Sequence, residues 1–193
     1  MQSFGSKVPF AEPGWYRGVA SPYYNESHVA LRARVREFVE KELLPHVDMW
    51  EEKCAQEGKE VDFKAITRKA AAAGILAPMY PESLGGTPLP GGVKFDSFHD
   101  LVWIDEISRT GASGLIAVLT MFTMALPPVV LYGSPEVREK VVKPVLKGEK
   151  CIALCITEPT AGSDMAGLST TAEKITENGQ QYYVINGQKK VSF

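Results

Sequence analysis

Leu154, Cys155, Ile156, Thr157, Glu158, Pro159, Thr160, Ala161, Gly162 and Ser163 run consecutively before Asp164, and their types and spacing could do chemistry. Thr157 and Ser163 offer hydroxyl donors, while Ala161 and Gly162 are small enough for a ligand to approach the backbone. Turns of this composition can line an anion-binding concavity with backbone N–H groups. An anionic cofactor is therefore one reading; a capped, hydrogen-bonded turn holding nothing is the other, and residue types alone do not separate them. Glu158, and Asp105 and Glu106 further upstream, are carboxylates that could serve as bases. The simpler readings are a turn carboxylate and a solvated helix face, so no catalytic residue is nominated. His28, His46 and His99 show neither metal-ligand spacing nor a triad partner in the sequence, and no metal-ligating set is proposed.

The elements that must position this stretch are mainly helical. Residues 1–25, rich in Gly, Pro and aromatics, read as an irregular arm. From Asn25, an N-cap type, Leu31, Val35, Phe38, Val39 and Leu43 recur at three- and four-residue spacing and predict one apolar helix stripe until Pro45. A second helix is expected over 47–56. Asp62 caps a third, with Phe63, Ile66, Ala70 and Ala73 on it and Gly74 ending it. Residues 77–92 have the Pro and Gly density of a long loop.

A helix follows from Asp96 toward Arg109, then an apolar segment over 114–132, then Ser134-Pro135-Glu136, which orders a cap, a first-turn Pro and an acid at a helix start. After Lys150 the pattern changes. Residues 151–157 read as a buried strand, and 170–176 with 181–185 as a hairpin around Asn178-Gly179. The fold class is thus α+β, mainly α: a helical domain over 26–149 followed by the start of a β-domain over 150–193.

The chain's 193 residues suffice for one domain and part of another, and 45% hydrophobic with 23% charged residues is the composition of a soluble globular protein. A formal charge of −2 leaves no basic excess for a phosphate backbone, so nucleic acid is not an expected partner. Cys151 and Cys155, if on one strand, would sit roughly 13 Å apart, too far to be bridged. With Cys54 they read as reduced thiols. Residues 114–132 approach membrane-span length, but Thr120, Thr123 and Pro127-Pro128 within them favour a buried bundle helix over a span. Neither a presequence nor a peroxisomal tripeptide is visible, which makes the cytoplasm the default location, with mitochondrial and peroxisomal destinations open.

The run Thr157-Glu-Pro-Thr-Ala-Gly-Ser-Asp164 resembles the threonine-glutamate-proline, glycine-serine-aspartate signature of acyl-CoA dehydrogenases, and Ile185-Asn-Gly-Gln-Lys189 resembles that family's second stretch at the expected interval. The likeness covers about residues 26 to 190. It implies an N-terminal helical domain, a middle β-domain and a C-terminal four-helix bundle, with FAD between the last two. It implies that residues 154–163 line the flavin, Thr157 bonding the pyrimidine side of the ring. Ser163 would face the pyrophosphate and the substrate's pantetheine arm. The implied activity is α,β-dehydrogenation of an acyl-CoA to the enoyl-CoA, by a homo-oligomer in the full-length form.

That chemistry needs a carboxylate base at the α-carbon and a flavin to take the β-hydride. The family pattern continues into Trp-Ile-Thr where this chain has Val191, Ser192 and Phe193, and the family's catalytic Glu lies in the bundle. The expectation is an N-terminal fragment inactive alone. The alternatives are a non-catalytic short form that binds a full-length paralogue and a piece of a related acyl-CoA oxidase.

Overall fold

The computed structural model describes residues 4–57 and 61–190; the expectations on residues 1–3 and 191–193 fall outside it. Seven α-helices and one hairpin are distinguished among the described residues: α1 Glu26–Phe38, α2 Val47–Glu57, α3 Phe63–Ala72, α4 Ser97–Ser108, α5 Ser113–Tyr132, α6 Pro135–Val137, α7 Lys143–Leu146, β1 Thr171–Glu177 and β2 Gln180–Asn186. Wider helical turns at Val39–Leu43 and Arg138–Val142 carry the chain onward from α1 and from α6 into α7. The mainly helical α+β class expected from the sequence is what the chain adopts.

Helix starts follow their capping chemistry. Asn25 and Asp96 each accept from the first turn of α1 and α4, and His28 and His99 return a bond to the cap's backbone N–H. Asp62 accepts from Ala65 N and Ser134 from Val137 N. Gly74 ends α3 with φ of 67°, a left-handed conformation that glycine adopts without penalty. The core is built where α1 lies on α4 and α5 packs against α3 and α4. Leu31, Val35, Trp103, Ile107, Leu119 and Leu126 belong to one buried cluster, and Trp103 Nε1 donates to the Ile75 carbonyl at 2.7 Å.

The expected buried helix at 114–132 is α5, yet only one face is covered. Leu115, Leu119, Phe122 and Leu126 are buried, whereas Met124, Leu131 and Tyr132 are exposed. Among the described residues it is the one helix long and apolar enough to cross a membrane by length and composition.

The arm docks tightly on α1 and α4. Tyr16 lies in a short turn, Gly14–Arg17, and is buried; its hydroxyl donates to Glu106 Oε1 at 2.6 Å. Arg36 donates to Glu12 at 3.0 and 3.1 Å and also holds Glu106, while Arg109 bonds Glu12. The Arg32 guanidinium sits 3.9 Å from the Phe4 ring centre and 4.5 Å from that of Tyr16, a cation–π clamp. Glu106 therefore belongs to a buried ion network and not to a solvated face, which corrects the sequence expectation. The partners come from the arm, α1 and α4, and no local pattern reports that.

The strand expected at 151–157 does not form. Its alternation is present, with Ile152, Leu154 and Ile156 half-buried and Cys151, Ala153 and Cys155 exposed. No neighbouring strand ladders with it among the described residues, and Ile152 packs instead on the helical core. The hairpin does form, with Thr171 opposite Asn186 and Glu177 opposite Gln180. Asn178 and Gly179 take φ of 51° and 77°, as a two-residue primed turn requires. Cys151 and Cys155 are exposed thiols.

Candidate functional site

The candidate stretch leaves the helical core as an extended segment and then turns. Glu158 N donates to the Ala161 carbonyl at 2.8 Å and Ala161 N returns a bond to Glu158 O at 3.2 Å. Pro159 fills the position where its fixed φ is already right for a turn. Asp164 then caps the short turn Met165–Gly167 by accepting from Ala166 N.

Two hollows adjoin this segment. One, of about 450 Å³, has nearly all apolar walls; Leu76, Val118, Met121 and Phe122 form one side and residues 150–155 the other. The second, of about 690 Å³, is open and the more polar of the two, lined by residues 157–162 together with Gln188, Lys189 and Lys190. A Cβ built at Gly162 would meet no protein atom within 4 Å, so the wall is left bare of side chain there. The Thr157 hydroxyl, bare backbone at Gly162 and the ammonium of Lys190 make a donor-bearing surface, which fits an anionic ligand such as a dinucleotide; the Thr160 hydroxyl donates to the Gly167 carbonyl at 3.4 Å.

Thr157, Glu158, Pro159, Thr160, Ala161 and Gly162 thus share the polar hollow, and Leu154 and Cys155 share the apolar one. Ile156 lies between, its carbonyl accepting from Lys189 Nζ at 3.3 Å. Ser163 is exposed and lines neither hollow. Gln188, Lys189 and Lys190 were not foreseen as site residues, although the spacing of the second motif was the signal that could have found them. They arrive because Lys190 N donates to the Thr157 carbonyl at 2.8 Å, laying the second motif along the first.

Glu158 is the turn carboxylate expected, with every oxygen used. Lys189 Nζ, Ser169 N, Ser169 Oγ and Thr170 N all donate to it, at 2.7, 2.6, 2.8 and 3.2 Å. The Lys189 bond first, then those from Thr170 and Ser169, hold its carboxyl well below the usual carboxylate range despite its burial.

Two of the three histidines are brought together by the fold and are satisfied by hydrogen bonds. His28 and His99, from different helices, stack with ring centres 3.8 Å apart, and Asp96 Oδ1 lies 3.1 Å from His28 Nε2 and 2.9 Å from His99 Nδ1. Ser27 Oγ stands 2.9 Å from His99 Nε2. The set has the makeup of a metal cluster, but each Nδ1 accepts from a backbone N–H of its own cap. That places the proton of His28 on Nε2, toward Asp96, with no lone pair there for an ion. The trio joins two helix starts that lie far apart in sequence, which is why residue spacing does not reveal it.

The family model of the acyl-CoA dehydrogenase N-terminal domain matches residues 25–149. The chain belongs to the acyl-CoA dehydrogenase family. It is 40% identical to the acyl-CoA dehydrogenase apdG of Emericella nidulans, over 96% of this chain and 43% of that protein. It is 41% identical to the acyl-CoA dehydrogenase AFT10-1 of Alternaria alternata, over 97% of this chain and 43% of that protein. Among solved structures, an acyl-CoA dehydrogenase from Bacillus anthracis complexed with FAD superposes with a TM-score of 0.71 at 26% identity, covering 89% of this chain and 28% of the other. The chain thus spans less than half the length of these family members.

Proposed function

We propose that this chain provides the helical wall and the opening of the cofactor site of an FAD-dependent oxidoreductase that converts an acyl-CoA to its 2,3-enoyl-CoA. The observation that carries the reading is one continuous segment, residues 150–162, bordering first a nearly all-apolar hollow and then a more polar one. Val118, Met121, Phe122 and Leu154 suit a saturated acyl chain and exclude water from it. Thr157, Gly162 and Lys190 suit the flavin nucleotide, which when bound accepts the hydride from the β-carbon. A homo-oligomer is part of the same reading.

The α-proton needs a base. Among the described residues no carboxylate lines the apolar hollow, and Glu158 at the polar one has no free oxygen. The chain by itself is accordingly expected not to turn over.

Calorimetric titration of the flavin-loaded chain with free CoA and with acyl-CoAs of increasing length tests the assignment. Each methylene buried in the trough contributes about 0.8 kcal/mol, so affinity should rise up to about fourfold per CH₂ while the trough fills, and Val118→Asp should erase the gain. Equal affinity for free CoA and every acyl-CoA would overturn the reading.

A further inference from the structure

The side chain of Glu158 is 0% accessible, so it does not contribute a surface to the polar hollow even though its residue borders it. What it does is gather three stretches of chain. Ser169 and Thr170 direct their backbone N–H groups at it from beyond the 165–167 turn, and Lys189 reaches it from the second motif. Lys189 also bonds the Ile156 carbonyl, one residue before Thr157, and the neighbouring Lys190 N bonds Thr157 itself. The wall formed by residues 157–162 is thereby anchored where it begins, at Ile156 to Glu158, by one ion pair and the bonds around it.

We propose that Glu158 and Lys189 are a positioning pair: through the ion pair between them they hold the Thr157 to Gly162 backbone in the shape that a phosphate-bearing cofactor requires. The proposal rests on the flavin reading of the hollow. An ionised carboxylate is needed because only an acceptor without protons of its own can take an ammonium, a hydroxyl and two backbone N–H groups at once. Glutamine would turn an NH₂ toward one of those donors and leave a backbone N–H orphaned. Arginine at 189 keeps the charge and the donors, whereas methionine there leaves a buried carboxylate unpaired. A wall already held in place binds more tightly than one that must be ordered on binding.

The test is FAD affinity of the full chain, followed by quenching of flavin fluorescence, for the unaltered protein, Glu158→Gln, Lys189→Met and Lys189→Arg, alongside amide hydrogen exchange at Ser169 and Thr170. Glu158→Gln and Lys189→Met should weaken FAD about ten- to a hundredfold, Lys189→Arg should recover most of that, and Glu158→Gln should speed exchange at both amides. If both damaging variants hold FAD as tightly as the unaltered chain, the positioning role is overturned while the flavin reading stands. If the unaltered chain binds no FAD, the flavin reading fails and exchange decides the clamp: protection unchanged in Glu158→Gln overturns it, and lost protection upholds it. Should Glu158→Gln not fold, the Lys189 pair of variants carries the same decision.

Discussion

At the residue scale, the most consequential side chain outside the site is Glu106. Its side chain is 0% accessible and faces Tyr16, Arg36 and Arg109. Burial first, then the bond to Glu106, pushes the Tyr16 phenol above its ordinary value, so it stays a donor throughout the usable pH range. Removing Glu106 would leave the Arg36 guanidinium, 8% accessible, with Glu12 and a 3.9 Å approach to the exposed Glu40, and the Tyr16 hydroxyl with only its longer 3.3 Å bond to Asp105. Breaking a buried pair from one side costs about 3–5 kcal/mol, a large part of a domain's total stability of about 5–15 kcal/mol. Urea unfolding of Glu106→Ala should register that loss, and a loss under about 1 kcal/mol would contradict the network. The sequence offered Glu106 only as a helix carboxylate, because burial imposed by an arm 90 residues away leaves no periodic signal.

At the element scale, α1 and α4 start side by side and share their caps. Burial first, then the neighbouring His28, pushes His99 below its ordinary 6.5, against the opposing pull of Asp96 and Asp100. Asp96 is held down to about 2, burial being outweighed by the bonds from His28 and His99. A histidine with a lowered folded pKa is neutral in both states at high pH, and as pH falls through its unfolded value the unfolded chain takes the proton first. Stability is therefore full above about pH 7 and declines below about 6.5. Thermal unfolding between pH 8 and 5 should show that decline, and His99→Gln, which keeps an N3 capping side chain without titrating, should flatten it. An unchanged slope in His99→Gln would place the proton elsewhere.

Elements of this kind were legible from the start, because caps, apolar stripes and the Asn178-Gly179 turn are local codes. The 151–157 segment was misread for the converse reason. Its alternation is real, but a strand is defined by a neighbour, and the apolar face of Ile152 goes to helices instead. The candidate site was half legible: the turn and its small residues were, while the roles of Lys189 and Lys190 depended on the second motif folding back along the first.

At the scale of the whole molecule, one helical body presents an extended edge that ends in a polar hollow. The hairpin beyond it is exposed along both strands, with Tyr183 and Ile185 outward. A two-stranded hairpin of this sort is marginal without a packing partner. The polar hollow does not draw on β1 or β2, since it is closed by residues 188–190 lying against 157 and 158. The central claim is that this hollow holds FAD. Its most direct test is the visible spectrum of the purified full chain, with flavin released by denaturation and counted against protein. The account predicts bound FAD approaching one per chain after loading, lost in Gly162→Val. A colourless protein that remains folded by circular dichroism after incubation with excess FAD would contradict it.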